Sequence, residues 1–138
     1  MDIIKGIGKQ LAKILDKPTI YRENQPQGFK EPSFYVYEIS TLSKDEITNY
    51  EMRTHRFCVV YFPDSKKDVN KQLDTMRDTL LDNFLVIDDV NLKLYERKCE
   101  PIDGTLNFTF KVRYRGKYEQ TDTPMNALSQ KGGLLNGG

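Results

Sequence analysis

Six consecutive residues, Phe57-Cys58-Val59-Val60-Tyr61-Phe62, are apolar or aromatic, and Pro63 closes the run. Side chains alternate between the two faces of a strand, so this run offers neither face to water. Such a strand is expected inside a sheet rather than at its edge. Residues 50–56 extend it backwards, giving one long central strand over residues 50–62. The rest of the chain has to supply neighbours for that strand and layers to cover it.

Two amphipathic segments can form a covering layer. Ile3, Ile7, Leu11 and Ile14 recur at helical spacing with Ile4 and Leu15 beside them, and Lys5, Lys9 and Lys13 fall between. This first helix ends before Pro18. Val69, Leu73, Met76, Leu80 and Phe84 mark a second helix running to about Phe84, with Ser65 and Asp68 at capping-box spacing before it. Met76 on that stripe reads as core packing rather than a cofactor contact. Further strands are expected over residues 19–23, 33–42, 91–100 and 105–115, with a loop at 24–32 and a polar turn at 43–49. The order indicates an α+β fold: an antiparallel or mixed sheet of four to five strands with two helices packed on one face. Residues 1–118 read as a single domain. Residues 119–138 hold Pro124, four glycines and only Met125, Ala127, Leu128, Leu134 and Leu135 as apolar points, so they are expected to form an extended C-terminal arm outside the core.

The last two strands constrain their own pairing. With a two-residue Asp103-Gly104 loop, Leu94 would face Arg113 and Arg97 would face Phe110, and the apolar faces disagree. With a three-residue loop ending in Gly104, Leu92 lies opposite Tyr114 and Leu94 opposite Val112. A one-residue slip moves a whole strand's side chains to the other face, so the matched, three-residue version is expected.

At 138 residues the chain can bury roughly two-thirds of its unfolded surface, so it needs neither disulfide nor metal to hold a core. Cys58 and Cys99, its only cysteines, fall in strands and are expected to be buried thiols in a reducing compartment. Lysine and arginine number 21 against 20 acids, and the net charge of +1 gives no global pull toward nucleic acid or an anionic membrane. Residues 1–15 contain no unbroken apolar stretch, so neither a signal peptide nor a membrane span is expected there, and the protein is expected to be cytoplasmic when made.

Catalytic constellations lack parts. His55 is the single histidine, and a metal cluster or Ser-His-Asp relay would have to be built around it alone. On its strand it is expected to be a surface or interface residue, and His55 and Cys58 point to opposite faces. Gly6-Ile7-Gly8 lacks the third glycine and preceding strand of a dinucleotide loop, and is expected to loosen the first helix. Asp88-Asp89 and Asp45-Glu46 read as solvated turns. No enzyme activity, cofactor or metal is expected.

Two surfaces stand out. In the matched register the non-core face of the last hairpin carries Lys93, Arg97, Lys111, Arg113 and Arg115, with Tyr95 among them. This basic face either contacts phosphates or is a solvated face paired to acids. Phe29, in a polar loop shaped by Pro26, Gly28 and Pro32, either plugs the domain's own core or anchors a partner.

The segment Gln27-Gly28-Phe29-Lys30-Glu31-Pro32-Ser33-Phe34 resembles the signature of a family of tail terminator proteins from phages and prophages of Gram-positive bacteria. Tyr61-Phe62-Pro63 at the end of the long strand and Asp103-Gly104 in the late hairpin agree with it. The resemblance implies a virion structural protein of the tail and neck, assembled in the bacterial cytoplasm. Such proteins form a ring, typically hexameric, on the head-proximal end of the tail tube, where they stop its polymerisation and join it to the head connector. Implied partners are copies of itself, the tail tube protein, head connector or neck proteins and, as a further candidate, the tail sheath. DNA passes through the ring without specific recognition, and no membrane is involved. A closed ring needs different patches to meet on adjacent subunits. The candidates are Gln27, Gly28, Phe29, Lys30 and Glu31 in the loop, Asp45 and Glu46 at the hairpin tip, and Met125, Leu128, Leu134 and Leu135 in the arm. Another neck or head-completion protein, or a nucleic-acid-binding module using the basic face, are the alternatives.

Overall fold

The computed structural model describes residues 1–46 and 49–117. The expected arm at 119–138, with Met125, Leu128, Leu134 and Leu135, lies outside the described residues.

Helix α1 spans Ile3–Ile14, and the Asp2 carboxylate opens it by accepting the Lys5 N–H at 3.0 Å. Strand β1 (Ile20–Tyr21) is followed by the loop at 24–32, then by β2 (Ser33–Glu46) and β3 (Tyr50–Phe62). Helix α2 (Val69–Asn83) leads to β4 (Val86–Ile87), a 3-10 turn at Asp88–Val90, β5 (Leu92–Lys93), β6 (Tyr95–Ile102) and β7 (Thr105–Lys117). Five strands form a mixed sheet in the order β1-β2-β3-β7-β6, with β1 parallel to β2 and β6 antiparallel to β7. β4 and β5 make a separate antiparallel pair.

The expected α+β fold is the one observed, and β3 is the middle strand of the main sheet. Phe34 and Val36 of β2, Phe57, Val59 and Tyr61 of β3, and Leu106, Phe108, Phe110 and Val112 of β7 share one buried cluster. These are alternate positions, hence one face of the sheet. Ile3, Ile7 and Leu11 of α1 and Leu73 and Leu80 of α2 belong to the same cluster, so both helices cover that face.

The chain divides into two compact units. Among the described residues, the larger takes Met1–Ser43 and Arg53–Tyr114, and the smaller takes residues 44–46, 49–52 and 115–117.

Three details depart from the sequence reading. Helix α2 is capped by Asp68, whose carboxylate accepts the Lys71 N–H at 3.2 Å. Ser65 lies a turn too early, and its own N–H donates to Glu31 Oε1 at 3.0 Å. The stretch at 43–46 continues β2 instead of turning. Ser43, Lys44 and Asp45 are exposed and Glu46 is half-buried, so the stretch has no apolar face and no hydrophobic alternation to read.

The third departure concerns the late hairpin. Ile102 pairs with Thr105 and Cys99 with Phe108, so the loop is the two-residue Asp103-Gly104 and not the three-residue one. Both loop residues have positive φ, 48° and 76°, as a type I′ turn requires. The clash of faces that this register creates is removed further along. Between Tyr95 and Lys98 the register shifts by one, and Tyr95 stands opposite Lys111. A β-bulge at Glu96, with φ of 50°, absorbs the extra residue. Leu94 returns to the core side, as the three-residue loop would have placed it.

The small β4–β5 pair docks on α1. A Cβ built on Gly6 would stand 2.8 Å from Cγ2 of the fully buried Ile87. The buried Gln10 side chain accepts the Asp88 N–H at 2.9 Å. Lys9 and Lys13 pair with Asp89 and Asp88, each at 3.1 Å. The two glycines of α1 therefore differ: Gly6 permits close approach, whereas Gly8 has only Ile20 Cδ1 near, at 3.9 Å. Gly8→Ala should raise stability by up to about 1 kcal/mol through helix propensity. Gly6→Ala should forfeit that gain and lower stability, because overpacking typically costs about 1–3 kcal/mol. Urea melts of the two variants check the contrast.

Candidate functional site

The loop at 24–32 folds back on the sheet. Its turn closes with the Gly28 N–H donating to Gln25 O at 2.9 Å, and Gly28 takes φ of 95°. The Phe29 ring stacks on Phe62 with centroids 4.3 Å apart, and lies 5.2 Å from Tyr35 and 5.4 Å from Tyr21. Tyr35 and Phe62 sit on strand positions out of phase with the helix-facing cluster, so Phe29 covers the other face of the sheet. Of the remaining loop candidates, Glu31 is held by the Ser65 N–H, while Gln27, Gly28 and Lys30 are exposed.

The hairpin-tip candidates lie on a strand. Asp45 and Glu46 end β2, and Glu46 Oε1 accepts from Arg115 Nε at 2.7 Å. Arg115 also lies 5.8 Å from the Tyr50 ring centroid.

The five cations expected on one face do not act together. The register of the two-residue turn puts Arg97 on the same face as Cys99, the helix side, where its Nη1 donates to Leu81 O at 2.7 Å and Phe84 O at 3.4 Å. It thereby satisfies carbonyls at the end of α2, whose last turn carries no cation of its own. Lys111 donates to Glu96 Oε2 at 3.0 Å. The hydrogen bond from Lys111, followed by its charge, holds the Glu96 carboxyl below its ordinary value. What remains is a pair of cations on Tyr95, with the Arg113 guanidinium 4.4 Å and the Lys93 ammonium 5.5 Å from the ring centroid.

His55, expected to be a surface or interface residue, has a side chain only 13 % exposed in the single chain. It lies between Phe57 and Tyr114, ring centroids 5.9 and 5.6 Å away. Its Nδ1 is 2.7 Å from Glu38 Oε2 and 3.2 Å from Thr41 Oγ1, and its Nε2 is 3.4 Å from the Tyr114 hydroxyl. Thr41 also donates to Glu38. A carboxylate can only accept, so the proton on this side of the ring belongs to Nδ1. Glu38, His55 and Phe57, with Met1, Asp2, Ile3 and Ile4, line a recess beside the start of α1. The sequence reading missed this cluster, yet period-2 alternation carries the signal. Glu38 follows Val36 by two positions and His55 precedes Phe57 by two.

A nucleophile–base–orienter relay uses both imidazole nitrogens, one toward the nucleophile and the other toward the carboxylate. Here Thr41 and Glu38 meet Nδ1, and the group facing Nε2 is the Tyr114 phenol at 3.4 Å rather than a serine or threonine hydroxyl, so the contacts on both nitrogens hold the ring in place. The two thiols are held apart from it. Cys58 is buried on the opposite sheet face, within 4.0 Å of Asn107 Oδ1. Cys99 is half-buried and its pKa is pushed up by burial to about 11. Both cysteines are free, and burial raises the Cys58 pKa as well, which keeps both as weakly nucleophilic thiols at neutral pH. Among the described residues no three His, Cys, Asp or Glu side chains gather as a metal site, and no helix is long and apolar enough to cross a membrane.

The sequence model of the phage tail terminator protein family matches residues 2–125. No curated protein matches the chain. The family match spans every helix and strand described above, and the chain belongs to the phage tail terminator protein family.

Two predictions follow the geometry of Phe29 and Glu38. Phe29→Ala removes a half-buried ring from the aromatic cluster and should destabilise the monomer by about 1–3 kcal/mol, somewhat less than a fully buried phenylalanine. A lowered monomer melting temperature checks it. Burial pushes the Glu38 carboxyl up, but hydrogen bonds from Thr41 and His55 and the His55 charge outweigh this and leave it below its ordinary 4.5. A carboxyl depressed in the folded state contributes stability above the unfolded pKa, and that contribution is lost as pH falls through the folded value. Unfolding curves from pH 6 down should therefore show a shallower acid loss for Glu38→Gln than for the parent.

Proposed function

We propose that this member of the phage tail terminator family is a non-catalytic structural protein. It assembles into a ring, hexameric in our reading, on the head-proximal end of the tail tube, where it stops tube polymerisation and joins the tube to the head connector. The observation that carries the reading is the family match over residues 2–125, which takes in all of the described fold. Its partners are then copies of itself, the tail tube protein, connector or neck proteins and, where a tail has one, the sheath. The protein resides in the virion after assembly in the bacterial cytoplasm, and DNA crosses the ring without being read.

The arrangement around Tyr95 bears on the alternative of a nucleic-acid-binding module. Lys111 is paired to Glu96 and Arg97 is committed to α2, so Lys93 and Arg113 are left as candidates for phosphate contact on this face. Two such contacts correspond to a slope of about −2 in log affinity against log salt, too shallow for a dedicated DNA-binding surface. That favours passage over recognition.

Negative-stain images of the purified protein, alone and mixed with tail tubes, test the proposal. Closed rings and tubes capped at one end, with elongation arrested, are the expected outcome. A protein that stays monomeric beside tubes that keep growing would sink it.

A further inference from the structure

Helix α2 carries its charges against its own dipole. Backbone dipoles favour acids in the first turn of a helix and cations in the last. The first turn of α2 holds Lys71 and no acid beyond the Asp68 cap, and its last turn holds Asp82 and no cation. Stability of the helix does not explain this polarity.

What surrounds each end gives the charges a use. Near the start of α2, two adjoining recesses of about 330 and 340 Å³ share Tyr61 and Met76. Together they make an apolar groove whose other walls include Leu15, Pro18 and Phe34, and whose rim carries Lys17, Lys30, Lys67 and Lys71. Two of the rim acids are turned to backbone amides, Glu31 to Ser65 and Asp68 to Lys71. Lys17, Lys30 and Lys71 have no carboxylate partner among the described residues. At the other end of α2, Leu85 and Val86 are 48 % and 40 % exposed, next to the exposed Asp82. One patch is apolar and basic-rimmed, the other apolar and acidic, and about 22 Å of helix separates them.

We propose that these two patches are the two halves of one subunit contact: the Leu85–Val86 knob and Asp82 of one copy seat in the lysine-rimmed groove of the next. The occupant is a second copy of this chain, because the chain itself carries the complementary surface in both charge and hydrophobicity. Different patches meeting head to tail make a heterologous contact, which closes into a ring when the rotation allows. The inference rests on the ring reading and specifies its interface.

Sedimentation of the full chain over a range of concentrations tests it with two variants, Lys67→Glu with Lys71→Glu in the groove and Asp82→Lys with Leu85→Lys in the knob. All four side chains are exposed, and Lys71→Glu and Asp82→Lys bring the charges of α2 into line with its dipole, so each variant should fold with the parent's circular dichroism spectrum and no loss of monomer stability. Each variant alone should sediment as a monomer. Mixed in equal amounts, they retain one intact groove and one intact knob between them, so they should form a dimer and nothing larger. Variants that assemble like the parent, or a mixture that yields no dimer, would overturn the inference while leaving the ring reading intact. A parent that is monomeric in solution also overturns it. If that parent still caps tail tubes as a ring, the ring reading stands with another interface; if it does not, both fail.

Discussion

Phe57, Val59 and Tyr61 enter the core between the sheet and its helices, while Cys58, Val60 and Phe62 on the same strand point the other way and stay buried or half-buried. The second set needs cover that α1 and α2 cannot give, because both helices lie on the first face. Phe29 provides part of it by stacking on Phe62, and Tyr37 meets Cys58 by a hydrogen bond. The loop at 24–32 is therefore fixed to the domain through its aromatic residue. What it presents outward is the polar set of Gln27, Gly28 and Lys30, whose exposure is compatible with contact to a neighbour.

Much of this was legible in the residues. Helical spacing located both helices, and the two-sided run at 57–62 located the central strand to the residue. What escaped reading had a physical reason in each case. The polar end of β2 has water on its side chains and no period to show. The bulge depends on a left-handed conformation at Glu96, a residue type that gives no sign of it. His55 and Glu38 share the core phase of their strands, but each is polar, so alternation alone did not place them inside. The cations of the last hairpin were assigned to one face from a continuous register, and the bulge divides them.

The geometry also separates residues that hold the fold from those left over for partners. Arg97, Glu31, Gln10 and Asp88 are all polar groups committed to backbone or side-chain partners within the chain. The large exposed apolar residues described in the larger unit are few and local: Met1 before α1, Tyr37, Ile39 and Leu42 on β2, Leu85 and Val86 after α2, and Ile102 at the last turn. In the ring proposed above, neighbouring copies and the tail tube would each need a surface of their own. Patches that are small, apolar and edged by charge suit contacts that must be selective before they are strong.

The bulge at Glu96 has a bearing on how this protein can vary. On its helix side the pairing of β6 with β7 is tied to the core through Leu94 and Val112. On its outer side the pairing is set by the Asp103-Gly104 turn. A one-residue offset between these two stretches lets each keep its own phase, much as an expansion joint lets two rigid spans move separately. The stretch between turn and bulge is itself part of the interior, with Leu106 and Phe108 buried and Arg97 bonded to the end of α2, so a change of length at the turn is felt under α2 before it reaches Glu96. A related chain that varies here is therefore freer to change the side chains at the hairpin's tip than the number of residues in it.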